Sequence, residues 1–257
     1  MDELDYFIEN AFSLVMSGYY TTRQKRTVPV KSLSSSIAQA GKIPLIAEFK
    51  RRTPSVSDLS SDADIGTRLS AFAEAGVSGF SILTEPHRFD GSLENLTAAS
   101  TFGLPVIMKD FVIATDQVDA AYRLGADAVL LIMEIFDRSR FNLDVLMEDI
   151  HSAGLEAILE VNSAKQFASA METETDIIGI NNRNLSDLTL EEGRTEQILS
   201  ELRKDRPVIG MSGVTTPQQV MSMLDAGADA VLVGTSLMGS NTTLLNEIRE
   251  AVLKRPR

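Results

Sequence analysis

Eight short runs rich in aliphatic and β-branched residues recur along the chain, each followed by a segment of helical spacing, and this alternation limits the fold more than any other feature. The runs are IPLIAEFK (43–50), GFSIL (79–83), PVIMKD (105–110), DAVLLIM (127–133), EAILEV (156–161), DIIGIN (176–181), PVIGMS (207–212) and DAVLVG (229–234). In the intervening segments apolar residues fall three and four apart, as with Leu69, Phe72 and Ala73 or Val118, Ala121 and Tyr122, which predicts helices with one buried face. Glycine in EAGVSGF, RLGADAV, SAGLEAI and DAGADAV stands where a left-handed helix end is wanted before the next strand. Strands apolar on both faces predict a parallel sheet covered by helices. Eight such units in 257 residues favour an α/β fold, a (β/α)8 TIM barrel, over an open doubly wound sheet. DELDYFIENAFSLVMS and VKSLSSSIAQAG precede the first run and read as extra N-terminal helices. No low-complexity linker divides the chain, so one domain spanning 1–257 is expected, with residues 1–42 as its helical extension.

Composition narrows the ligand classes. With 36 acidic against 24 basic residues the formal charge is −12, which repels nucleic acid and anionic lipid at long range. An anionic ligand must then be held by a local site. Cysteine is absent, and two histidines, His87 and His151, are too few and too far apart to suggest zinc, so no metal and no cofactor are expected. The acidic start MDELDYFIEN is unlike a secretory signal, and the apolar run GADAVLLIMEIF is short and interrupted by Asp127 and Glu134. No membrane association and a cytoplasmic location are expected. Nothing in the sequence points to a protein partner.

In such barrels the chemistry lies at the C-terminal ends of the strands. Side chains alternate along a strand, so Ile46, Glu48 and Lys50 share one face while Ala47 and Phe49 share the other. The same parity pairs Ile107 with Lys109, Ile158 with Glu160 and Gly179 with Asn181. If the apolar partners fill the top layer of the barrel, the polar ones converge above it. Asp110 and Arg183 also stand at strand ends. Such groups can form a structural ion network, but contributions from several strands favour a site in which lysines and carboxylates hold different protonation states.

After strands 7 and 8, MSGVTTPQQV and VGTSLMGS place small residues and helix starts where backbone N–H groups can surround a phosphate. Gly213 and Gly234 fit plain turns equally well when taken singly; their occurrence in these two loops favours a phosphorylated small-molecule ligand. No P-loop or G-x-G-x-x-G motif is present, and Ser212 lacks the G-x-S-x-G elbow of a serine hydrolase.

From the N-terminal helices to the last strand the chain resembles the indole-3-glycerol phosphate synthase family. The motifs that carry the resemblance are, in order, IAEFKRRTPS, SILTEPHRFDGSLENL, MKDFVI, GADAVLLI, ILEVN, IGINNRNL and GADAVLVGTSLM. The resemblance implies closure of 1-(2-carboxyphenylamino)-1-deoxyribulose 5-phosphate into an indole with loss of carbon dioxide and water. It implies Lys109 as general acid, Glu160 as general base with Glu48 in support, and Lys50 assisting dehydration near the phosphate end. Asn181 and Arg183 would orient the ring and its carboxylate, with Thr53 where the family more often has serine. The phosphate would rest on Ser212, Gly213, Gly234 and Thr235. Phe89, Phe111, Leu83 and Leu131 are candidates for an apolar slot around the ring, and the RRTPSVSDLS loop for a lid. One position departs: Met211 stands where the family usually carries glutamate before Ser-Gly, which predicts a perturbed acid and base arrangement. The competing expectations are a Schiff-base lysine at Lys50 or Lys109, and a barrel that binds a phosphorylated ligand without turning it over.

Overall fold

The computed structural model describes residues 2–39, 41–54, 56, 59, 64–238 and 243–255. The strands are β1 (Ile43–Phe49), β2 (Val77–Leu83), β3 (Val106–Lys109), β4 (Ala128–Ile132), β5 (Glu156–Val161), β6 (Ile177–Asn181), β7 (Val208–Met211) and β8 (Ala230–Val233). Each pairs in parallel with its neighbour and β8 returns to β1, closing the barrel in sequence order. The helices are α1 (Glu3–Met16), α2 (Leu33–Ala38), α3 (Ile65–Ala75), α4 (Leu93–Ser100), α5 (Thr115–Leu124), α6 (Met133–Arg138), α7 (Leu143–Ser152), α8 (Ala164–Met171), α9 (Arg194–Glu201), α10 (Pro217–Asp225) and α11 (Thr243–Leu253). The (β/α)8 fold expected from the alternation is the one observed. Among the described residues no helix is long and apolar enough to cross a membrane.

The apolar core divides according to strand parity. Ile46, Ile107, Leu130, Ile158, Ile209 and Ala230 fill the barrel interior. Ala47, Phe49, Met108, Leu131, Leu159 and Val233 face the other way and pack under the helices. Both layers exclude water almost completely, which is why the strand runs carry little polar marking except at their ends.

The extra N-terminal segment packs against the barrel at both ends. Around the C-terminal mouth, α1 is tied down by Arg88 to Glu3 at 2.5 Å, Arg138 to Asp2 at 2.6 Å and Asn10 to Glu85 at 2.8 Å. At the opposite end Glu156 accepts from the Leu33 and Ser34 amides at 2.6 and 3.1 Å, holding the start of α2. Asp127, fully buried, accepts from Arg26 Nη2 at 2.6 Å and from the amides of Lys31 and Val106 at 3.0 Å each. Its carboxylate therefore stands just ahead of β4 instead of inside it.

Two elements differ from the sequence expectation. The DAVLLIM run ends as a strand at Ile132, and Met133 begins α6, which carries an i,i+4 ion pair between Glu134 and Arg138. An apolar run carries no mark of where strand gives way to helix. The LEEGRTEQILSELRK segment is helical only over Arg194–Glu201, because Gly193 takes a left-handed conformation at φ 83° immediately before it.

Candidate active site

The parity of the strand ends places the charged groups on one rim. On β1, Glu48 is 4% exposed and accepts from Lys50 Nζ at 2.6 Å. Across the mouth, Lys109 Nζ lies 3.2 Å from Glu160 Oε2, and Asn181 Nδ2 donates to Glu160 Oε1 at 2.8 Å. Asn181 Oδ1 in turn accepts from the Arg183 amide at 2.9 Å. One carboxylate–ammonium pair is thus local to the end of β1, while the other joins β3 to β5 and holds Asn181 of β6 on the same carboxylate. Glu160 is buried and meets the cavity through its two partners, Lys109 and Asn181.

Above these pairs lies a cavity of about 380 Å³, lined on one side by the charged rim and on another by an apolar wall. Phe89, Phe111 and Leu83 stand in that wall as expected. Leu131 does not: it points into the strand–helix layer, and its neighbour Ile132 lines the cavity. Adjacent positions on a strand face opposite sides, so the candidate was one residue out of phase. Further contributors lie outside the set expected from sequence, Phe7 and Leu188 among them. Phe7 of α1 stacks on Phe111 with centroids 4.2 Å apart and planes 9° from parallel, and Leu188 joins the wall from the loop after β6. Phe7 and Phe111 are more than a hundred positions apart, and no local pattern marks such a contact.

The third side is the pair of loops after β7 and β8. Ser212, Gly213, Gly234 and Thr235 all line the cavity, as does Thr53 from the loop after β1. Ser212 adopts φ 69° and Gly213 φ 83°, consecutive left-handed residues that turn the chain sharply at the rim. Ser236 Oγ donates to the Val214 carbonyl, linking the two loops. A Cβ on Gly234 would fall 2.3 Å from Glu48 Oε1 and 3.1 Å from Lys50 Nζ, so any larger residue here would displace the ion pair. The lid reading of residues 51–60 falls in part on Ser55, Ser57, Asp58 and Ser60, outside the described residues. Neither histidine lines the cavity; His151 shares a hydrogen bond with Asp176 at 3.0 Å.

Burial pulls the Lys109 ammonium down, but the carboxylates of Glu160 and Glu48 outweigh it and hold the group above its ordinary range. Lys109 is therefore a cation throughout neutral pH. Next to it, Asp110 is 3% exposed and its pKa is pushed up to about 6, because burial outweighs the hydrogen bonds donated by Thr84, the Phe111 amide and Tyr20. A carboxylate whose folded pKa lies above its unfolded value of 3.8 stabilises the fold below pH 4, and that contribution is lost as pH rises through 6. Asp110→Asn is expected to remove a fall in unfolding free energy of about 2–3 kcal/mol between pH 4 and 7. Urea unfolding at the two pH values measures it. Parallel pH dependence in both proteins would place the titration elsewhere.

The sequence model of the family described as indole-3-glycerol phosphate synthase matches residues 12–250. The chain belongs to this family. It is 37% identical over 230 residues to the indole-3-glycerol phosphate synthase of Sulfurisphaera tokodaii, covering 88% of this chain and 90% of that one. With the Bacillus cereus protein of the same name it shares 34% identity over 242 residues, covering 93% and 94%. Among solved structures, thiamine phosphate pyrophosphorylase from Pyrococcus furiosus superposes with a TM-score of 0.62 at 16% identity, over 87% of this chain and 98% of that one, a likeness of fold alone. Indole-3-glycerol phosphate synthases are carboxy-lyases of tryptophan biosynthesis that act on a small phosphorylated substrate. The family assignment agrees with the motifs IAEFKRRTPS, MKDFVI and IGINNRNL, from which Glu48, Lys50, Thr53, Lys109, Asp110, Asn181 and Arg183 line the cavity described above.

Proposed function

We propose that the cavity closes the indole ring of 1-(2-carboxyphenylamino)-1-deoxyribulose 5-phosphate by acid–base catalysis between Lys109 and Glu160. The ring carbon bearing the carboxylate attacks the ketone carbon, and Lys109 delivers a proton to the carbonyl oxygen as that bond forms. Carbon dioxide leaves with its bonding electrons returned to the ring. The hydroxyl made from the former ketone then departs as water with Lys50 assisting, and Glu160, supported by Glu48, takes the proton whose removal completes the indole. Asn181 and Arg183 orient the substrate carboxylate, while Phe89, Phe111, Phe7 and Ile132 hold the ring and Thr53 borders it. Ser212, Gly213, Gly234 and Thr235 receive the phosphate. The reading takes the chain as one catalytic unit, with the N-terminal helices part of the site, working in the cytoplasm.

The observation that carries this reading is the chain of contacts Lys109–Glu160–Asn181 at 3.2 and 2.8 Å beside the two small-residue loops. An ammonium held protonated in a site sheltered from water supports a developing alkoxide far better than one in bulk solvent. The same protonation weighs against Lys109 as a Schiff-base nucleophile, which requires the neutral amine. The protein contains no tryptophan, so indole fluorescence appearing on addition of the substrate reports product without protein background. No signal at high enzyme concentration would favour a barrel that binds the substrate without turnover.

Met211 bears on efficiency. It is 1% exposed on the cavity floor with its thioether over Gly179, where a Cβ would meet Met211 Cε at 2.4 Å. Met211→Glu is expected to raise kcat about three- to tenfold and move its pH profile, while costing about 1–3 kcal/mol of stability as a carboxylate replaces buried apolar atoms. Unchanged kcat and pH profile would show that this position has no part in the chemistry.

A further inference from the structure

Asn182 directly follows β6, and where Asn181 faces the cavity, Asn182 turns outward to α9 and is 2% exposed. Both ends of its amide are engaged. Oδ1 accepts from the Thr195 amide at 3.0 Å and from Thr195 Oγ1 at 2.8 Å, while Nδ2 donates to the Ser212 carbonyl at 3.3 Å. Helix α9 begins after Gly193, which has no side chain to cap it, so Asn182 supplies the acceptor that a serine or aspartate at that position would otherwise provide. Its main chain adds two more ties, donating to the Met211 carbonyl at 2.9 Å and accepting from the Glu191 amide at 2.8 Å. One residue thereby joins the end of β6, the start of α9 and the loop after β7.

The effect on that loop follows from peptide geometry. Ser212 sits at φ 69°, a conformation disfavoured for a residue with a Cβ and maintained only where surrounding contacts impose it. In a planar trans peptide the C=O and N–H point in opposite directions. Because the Ser212 carbonyl is drawn outward to Asn182, the Gly213 N–H is turned toward the cavity that both residues line. We propose that Asn182 is a positioning residue for the phosphate end of the substrate, holding the Ser212–Gly213 peptide with its N–H presented to the anion. The inference rests on the phosphate assignment made under the proposed function. Asn182 touches no reacting atom, so its influence falls on binding and not on the chemical step.

Three variants separate this role from a purely structural one. Asn182→Asp keeps an acceptor for the start of α9 but sets a negative charge against the Ser212 carbonyl. Asn182→Ala removes both contacts, and Thr195→Val removes one hydroxyl donor while leaving the Asn182–Ser212 bond intact. In N182D and N182A the substrate KM and the calorimetric Kd for inorganic phosphate are expected to rise together about tenfold, with kcat held within about threefold. T195V is expected to lower the melting temperature with KM and phosphate Kd within about twofold of wild type. Phosphate affinity and KM unchanged in N182D, or a loss confined to kcat, would overturn the proposal. Wild-type protein that forms indole but binds inorganic phosphate no better than N182D also overturns it, leaving the function standing. Wild-type protein that neither forms indole nor binds phosphate removes the functional reading itself, and this inference with it.

Discussion

Lys109→Met is expected to lower kcat by about 10³- to 10⁴-fold while KM stays within a few fold, the signature of a group that acts in the transition state more than in binding. Methionine retains most of the lysine stem and so keeps the packing at the end of β3, but it carries neither proton nor charge. The loss is large because two contributions vanish together: proton delivery to the ketone oxygen and cationic support of the alkoxide in a pocket with little water to substitute. A stability cost accompanies it. Glu160, 2% exposed, would keep the Asn181 amide but lose its ammonium, and breaking a buried pair in this way costs about 3 kcal/mol. Activity is therefore to be compared at a temperature well below both melting transitions. A variant that retains a tenth or more of wild-type kcat would take Lys109 out of the acid role and shift attention to Lys50.

Glu160→Gln is expected to lower kcat by about 10²- to 10³-fold and to move the alkaline limb of the pH profile toward neutrality. The amide can still accept from Asn181, so the rim keeps its shape, but it cannot take a proton. The shift in the alkaline limb has a separate cause. Glu160 is the strongest of the influences holding the Lys109 ammonium above its ordinary range, and without it burial pulls that group down. The acid form of Lys109 is then lost at a lower pH than in the wild type. A kcat–pH profile whose alkaline limb coincides with the wild type would mean that the two groups are not coupled during turnover, whatever their separation of 3.2 Å at rest.

The two variants test different halves of one pair, and their effects should not add. Once the acid is gone, removing the base costs less than it does in the intact site, as with any two groups that act on one substrate in sequence. The double variant is expected to fall little further than Lys109→Met alone.

Where a polar residue interrupts an apolar strand, the sequence was readable to the side chain. Glu48, Lys109, Glu160 and Asn181 each stand two places after a barrel-filling or small residue, so parity alone sent them to the same rim. Leu131 failed for the converse reason. Strand β4 is apolar on both faces, Leu130 through Ile132 offer no polar residue to set the phase, and the outward member was chosen in place of Ile132. Phe7 and Asn182 were missed because their importance lies in what they touch. An aromatic residue in an amphipathic helix and an asparagine after a strand look ordinary until Phe111 and Ser212 are brought against them.

The local pattern of apolar spacing and helix-ending glycines was enough to determine the eight strand–helix units and their parallel order, and the short motifs around the strand ends carried the family resemblance, because each depends on residues within a few positions of one another. Tertiary structure alone decided which carboxylate meets which ammonium, that α1 lays Phe7 over the mouth, and how the Ser212 peptide is turned. Those outcomes depend on distances of a few ångströms between segments far apart in the chain, set only when the barrel closes and its two core layers pack.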